Sequence, residues 1–261
     1  RHARGSENKP ALPGSLRRPR RGHGDVDQAG FAVRANHPYV KCMNTFGPRF
    51  FGGEKRGYHH GHLKEALLEA ARYLAAERGP SGFTLAEAAK MVGVTPAAPY
   101  RHFADRGALI EELAKRGFEA FVQKLEAAWQ DGQPLPEVAF HRMGTAYLEF
   151  AREEPGLYAA MFGNVQTLNA PERGAAADRA LESIRQACAS VLEYHGAPRE
   201  GAKALAFEIW SLSHGLAMLM LSGHLDPQRT GANPAAILET AAQSLVEGAI
   251  RRTSRKGPWS R

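Results

Sequence analysis

From His62 onward the chain is written in a single period. Leu63, Ala66, Leu67, Ala70, Ala71 and Leu74 recur at steps of three and four, which sets them on one stripe of a helix. Gly79 and Pro80 close that helix. A second, short helix begins at Thr84, where Thr84 and Glu87 form the S/T-x-x-E capping box, and Gly93 breaks it. The pattern predicts a third helix from Thr95, capped by its hydroxyl, with Pro96 in the first turn. A fourth is predicted from about 105 to 130, carrying Ile110, Leu113, Gly117, Phe121, Leu125 and Ala128 on its stripe. Further helices are expected at about 137–152, 155–162, 174–195, 199–222 and 234–252. Pro155, Pro171, Pro198, Pro227 and Pro234 lie at or beside the breaks. No run of four to eight alternating β-formers occurs, so the fold class is all-α.

Charge divides the chain unevenly. Residues 1–57 hold twelve Lys/Arg against four Asp/Glu, whereas residues 58–261 hold twenty-two against twenty-three. A basic arm thus precedes a neutral body, and the overall charge of +7 is no proof by itself of nucleic-acid binding. Gly and Pro make up about a quarter of the arm, where apolar residues follow neither period, so residues 1–56 are expected to be a disordered basic tail. The chain opens on Arg1, and Met43 is an attractive start that would leave 1–42 upstream of it.

Two cysteines, Cys42 and Cys188, exclude a disulfide framework and a four-thiolate zinc site, and suit a reducing cytoplasm. No apolar stretch follows the basic N-terminus in the manner of a secretory signal. The most apolar segment, Leu205 to Leu221, carries Glu208 and His214, so it reads as a core helix and not a membrane span.

The strongest motif is the pair of short helices joined at Gly93. Ala88 and Ala89 permit close approach, Val94 can plug the turn, and Phe103 can seal the base. This is the layout of a helix-turn-helix, although an ordinary αα-hairpin shares it. Gly93-Val94-Thr95, Tyr100-Arg101-His102-Phe103, and Asp105-Arg106 followed by Leu109 resemble the DNA-binding domain of the tetracycline-repressor family, over about residues 58–110. Trp210, His214 and Gly215 resemble that family's regulatory domain of the Trp-His-Gly type. Two positions depart from the family pattern. Pro99 replaces an aliphatic residue inside the recognition helix, and Arg106 replaces a lysine.

The resemblance implies a helix-turn-helix domain at 57–104, a helical effector-binding and dimerisation domain at 105–252, and a flexible tail at 253–261. It implies phosphate contacts from Tyr100 and His102, supported by the helix ends that Thr84 and Thr95 cap and by Arg106. Base reading falls to Pro96, Ala97, Ala98 and Arg101. The first three offer only apolar contacts, and Arg101 suits a guanine. Lys55, Arg56, Tyr58 and His59 could reach phosphates or a minor groove from the arm. For the effector pocket the candidates are Met161, Phe162, Cys188, Trp210, His214 and Met218, each of which is also an ordinary core residue.

His59, His60 and His62 could bind a metal, but no further ligand follows at suitable spacing, and a polar arm explains them better. No hydrolase, phosphate-loop, zincin or dinucleotide motif is present, and the carboxylate pair Glu153-Glu154 sits at a helix end. The expected protein is a cytoplasmic homodimeric repressor. It binds operator DNA, is released by a small-molecule effector, needs no cofactor or metal, and is neither an enzyme nor a membrane protein. The alternative is a helical small-molecule-binding or scaffolding protein without operator binding.

Overall fold

A computed structural model describes residues 62–163 and 171–254, and these are all-helical, with no strand among them. The basic tail, the arm residues Lys55 to His60 and the tail after Ser254 lie outside the described residues. The elements are α1 (Leu63–Arg78), α2 (Leu85–Val92), a 3-10 turn (Ala98–Arg101), α3 (Arg106–Trp129), α4 (Pro136–Glu153), α5 (Pro155–Phe162), α6 (Pro171–Tyr194), α7 (Ala202–Leu221), α8 (Pro227–Thr230) and α9 (Pro234–Ser254).

These helices enclose two cores. The smaller gathers Leu67, Leu74, Phe83, Val92, Phe103 and Leu109 from α1, α2 and the start of α3. The larger lies among α3, α4, α6, α7 and α9 and includes Phe121, Leu125, Tyr147, Leu192 and Leu205. The long helix α3 serves both, with Leu109–Ala114 in the first and Phe118–Leu125 in the second.

The second bridge is α5. Ala160 belongs to the first core and Met161 to the second, while Leu157 packs against both. Two glycines permit the close approach. A Cβ on Gly117 would stand 2.9 Å from the Met161 side chain, and one on Gly156 only 2.0 Å from the Arg72 carbonyl oxygen of α1. Arg72 also pairs with Glu154 at 2.6 Å. Gly156→Ala should therefore drive α5 off α1, at the cost of about 1–3 kcal/mol usual for overpacking. Thermal denaturation should show a lowered midpoint, and an unchanged one would mean that this crossing is loose.

One expectation from the sequence fails in the recognition segment. The predicted α-helix from Thr95 is instead a bend at Pro96–Ala97 followed by the four-residue 3-10 turn. Pro99 has no N–H to return to the Thr95 carbonyl, and that oxygen accepts from Ala98 three residues on, at 3.0 Å. Accordingly Thr95 caps nothing: the residue before the turn is Ala97, with no side-chain cap. The segment 174–195 starts earlier, at Pro171, and 199–222 opens with a 3-10 turn at Arg199–Gly201. The sequence reading missed α8, where Asp226 accepts from the Gln228 N–H ahead of Pro227.

Candidate functional site

The helix-turn-helix is built by two local devices. Thr84 Oγ1 accepts from the Glu87 N–H at 3.2 Å, and the Thr84 N–H donates back to the Glu87 carboxylate at 2.8 Å, which completes the capping box. The bonds that the Thr84 N–H and hydroxyl donate to the Glu87 carboxylate hold it below the usual range, with Arg78 adding to the effect. At the far end Gly93 adopts φ +82°, and the Val94 N–H reaches back to the Ala89 carbonyl. This is a Schellman closure, and its left-handed residue favours glycine. Half-buried Val94 and Ala98 then pack on the small core with buried Pro99 and Phe103 around them.

What remains outside is a ridge. Thr95, Pro96, Ala97, Tyr100, Arg101 and His102 are all exposed, with Tyr100 at 62%. Among the described residues the side chains of Tyr100, Arg101 and His102 have no intramolecular partner. Lys90, on the last turn of α2, is likewise exposed and unpaired among the described residues, and it was not among the residues expected from the sequence. Ala98 is turned partly inward, which weakens its claim to a base contact. Arg106 is committed elsewhere: its guanidinium donates to the carbonyls of Ser81 at 2.9 Å and Phe83 at 3.2 Å, pinning the loop that precedes α2.

In the larger domain a cavity of about 370 Å³ opens between α4, α6, α7 and α9. Its apolar lining includes Leu125, Phe140, Ile184, Ile209, Leu238 and Val246. Two histidine–carboxylate contacts line it as well, His195 with Glu137 at 2.6 Å and His141 with Glu239 at 3.7 Å.

None of the six residues expected to form an effector pocket lines this cavity. Met161 and Cys188 are fully buried in the core. Desolvation pushes the Cys188 thiol up to about 12, so it stays protonated and unreactive. Met218 packs against the core from its edge. Phe162, Trp210 and His214 instead form an aromatic group with Tyr158, in which the Phe162 and His214 rings lie 4.7 Å apart. The physical reason is that α7 presents Ile209 and Ser213 to the cavity, while Trp210 and His214 lie on the side toward α5.

His214 has a polar partner in a tyrosine hydroxyl. Its Nδ1 lies 2.7 Å from the Tyr158 hydroxyl, which lies 3.2 Å from that of Tyr147. Tyr147 also lines the cavity, so this chain links cavity to α5. Burial pushes both phenols up, so they remain neutral donors, and burial lowers His214 below its ordinary 6.5. Neutral His214 accepts from Tyr158 when its own proton sits on Nε2.

The sign of the pH effect follows. Below 6.5 an unfolded chain protonates this histidine while the folded one resists, so stability is full above that value and falls with pH below it. The thermal midpoint should drop between about pH 7 and pH 5.5, and His214→Gln should flatten that slope. An unchanged slope in the variant would assign the effect to other groups. The ion-paired Glu65, Glu112 and Glu153 are held down by Arg116, Lys64 and Lys124, and act only below 4.5.

Residues 67–113 match the family described as "Bacterial regulatory proteins, tetR family". Residues 140–245 match "Tetracyclin repressor-like, C-terminal domain", and the two together cover more than half of the chain. The chain belongs to the tetracycline-repressor family. The second description is broader than the Trp-His-Gly type and names no subtype.

This family member is similar to the nucleoid occlusion factor SlmA of Marinobacter nauticus, 31% identical over 101 residues, or 39% of this chain and 51% of that protein. It is 29% identical to the HTH-type transcriptional regulator YobS of Bacillus subtilis, over 38% of this chain and 51% of YobS. The chain thus spans about half the length of these curated relatives. With the HTH-type regulator Rv0681 of Mycobacterium tuberculosis the match is longer, 25% identity over 76% of this chain and 86% of Rv0681. Among solved structures, a protein of unknown function from Rhodococcus sp. RHA1 is 28% identical, with a TM-score of 0.63 over 74% of this chain and 98% of its own. The TetR-family regulator PfmR of Thermus thermophilus shares the fold at 18% identity, with a TM-score of 0.57 over 69% and 97%.

Proposed function

We propose that this tetracycline-repressor family member is a dimeric, operator-binding repressor that a small-molecule effector releases from DNA. The observation that carries this reading is the ridge of Tyr100, Arg101 and His102, exposed and unpaired beside a tightly closed turn. Side chains left without internal partners cost nothing to redirect to a duplex. Tyr100, His102 and Lys90 suit phosphates, which position the domain, and Arg101 suits a guanine edge, which specifies sequence. The N-terminus of α2 adds its free N–H groups toward a phosphate, while Thr84 fixes where that helix begins.

Dimerisation falls to α7 and α9. Phe207 and Leu219 of α7 and Ile237 of α9 are exposed at 43%, 46% and 36%. An apolar face of this kind, on a chain with one recognition ridge, is best covered by a second copy through a two-fold axis. Effector and DNA are coupled through α5. It touches the small core through Ala160 and Gly156, and it reaches the cavity through Tyr158 and Tyr147. A ligand that shifts Tyr147 alters the seat of α5 on α1, and so biases the dimer toward a ridge spacing that no longer fits DNA.

The second reading, a ligand-binding helical protein without operator binding, draws on the shortened recognition turn. Titration of full-length protein against duplex DNA over a range of salt separates the two. A repressor should bind with log affinity falling linearly in log salt, as displaced counterions require. Absence of binding at low salt would leave the second reading.

A further inference from the structure

The cavity of the larger domain carries a ligand class in its lining. Its charged residues are Glu137, Glu239 and Glu247, accompanied by His141 and His195, and among the described residues no lysine or arginine lines it. Glu247 is reached by Arg251 at 3.4 Å from outside, and the two histidines face Glu239 and Glu137. With both imidazoles neutral, three carboxylates against the one Arg251 guanidinium leave the opening with an excess of negative charge.

Deeper in, the lining is apolar apart from Ser213. That residue is only 2% exposed and sets a hydroxyl-bearing side chain in the lining. The volume of about 370 Å³ falls within the range of small-molecule pockets.

We infer that this cavity binds an amphipathic organic cation, with its apolar body among Ile184, Ile209, Leu238 and Val246 and its charged group between Glu137 and Glu239. The inference rests on the effector-pocket reading given above. An anion meets the carboxylates unfavourably at the mouth. A neutral molecule gains the apolar contacts but nothing from the charges. A low-dielectric wall behind the carboxylates focuses their field toward the entering cation. The glutamates are more than half exposed, with Glu137 at 52% and Glu239 at 58%, so they can turn toward a guest without loss of core packing.

The test uses three probes with the same apolar chain: octyltrimethylammonium, octanol and nonanoate. They are titrated calorimetrically into the full chain, its Glu137→Gln/Glu239→Gln variant, and an Ala242→Trp variant that fills the cavity. The cation should bind at least about tenfold more tightly than octanol, the separation of 1.4 kcal/mol that a favourable charge contact supplies, and nonanoate should bind more weakly than either. The double variant should lose the cation's advantage and keep octanol binding, and Ala242→Trp should abolish binding of both. Nonanoate binding as tightly as the cation, an advantage that survives the double variant, cation binding that survives Ala242→Trp, or no saturable cation binding would each overturn the inference. Cation binding of the expected pattern that leaves a protein–DNA complex intact would instead overturn release by an effector, with the ligand class standing.

Discussion

Gly215→Arg should convert the protein to monomers by light scattering and remove specific operator binding, a loss on the order of 10³-fold, the gap that separates specific from non-specific affinity. Gly215 sits at the middle of the α7 face formed by Phe207, Ser211, Gly215 and Leu219, which recur every four residues and are all exposed. A Cβ at Gly215 would meet no atom within 4 Å, so the substitution disturbs nothing inside one chain. Replacing a mid-helix glycine should even favour the helix by roughly 1 kcal/mol. Two copies of the helix, however, could no longer meet at the small residues Ser211 and Gly215, and the two guanidiniums would face each other across the axis. Helical content by circular dichroism should be retained. A variant that stays dimeric would move the interface elsewhere.

Arg101→Ala should relax base preference at one position of each half-site, with a loss of about 1–3 kcal/mol for each bidentate contact. Tyr100→Phe should act differently. It removes only a hydroxyl that is directed at phosphate, so affinity should fall for all sequences alike and the preferred motif should not move. The contrast follows from the ridge itself, where both side chains are exposed on the 3-10 turn and neither is needed by the core. A selected motif that is the same for Arg101→Ala and the parent would remove Arg101 from base reading.

The helical plan was legible because the apolar period and its breaks are local properties. Asp105 caps α3 through the Ala108 N–H, and the stripe from Ile110 to Leu125 is buried as the spacing requires. The recognition segment was half legible. The Thr84 box and Gly93 were plain, but the predicted α-helix from Thr95 was not formed, because in a segment this short the one hydrogen bond lost at Pro99 decides the helix type. Arg106 illustrates a different limit: its charge was visible, and the carbonyls of Ser81 and Phe83 that occupy it were not. The cavity was not legible at all. Its lining comes from five helices more than a hundred residues apart at the extremes, Leu125 to Ile250, and depends on which faces they turn to one another. Met161 and Cys188 looked like pocket residues by type, yet they fill the interior that holds α5 and α6 in place.

Selection of bound duplexes from a random DNA pool by the full-length protein tests the central claim most directly. The account predicts a two-fold symmetric motif, its half-sites separated by about one helical turn, 34–36 Å, or a multiple of it, with one guanine in each half that disappears for Arg101→Ala. A pool that emerges without an enriched motif, or with one lacking two-fold symmetry, would contradict it.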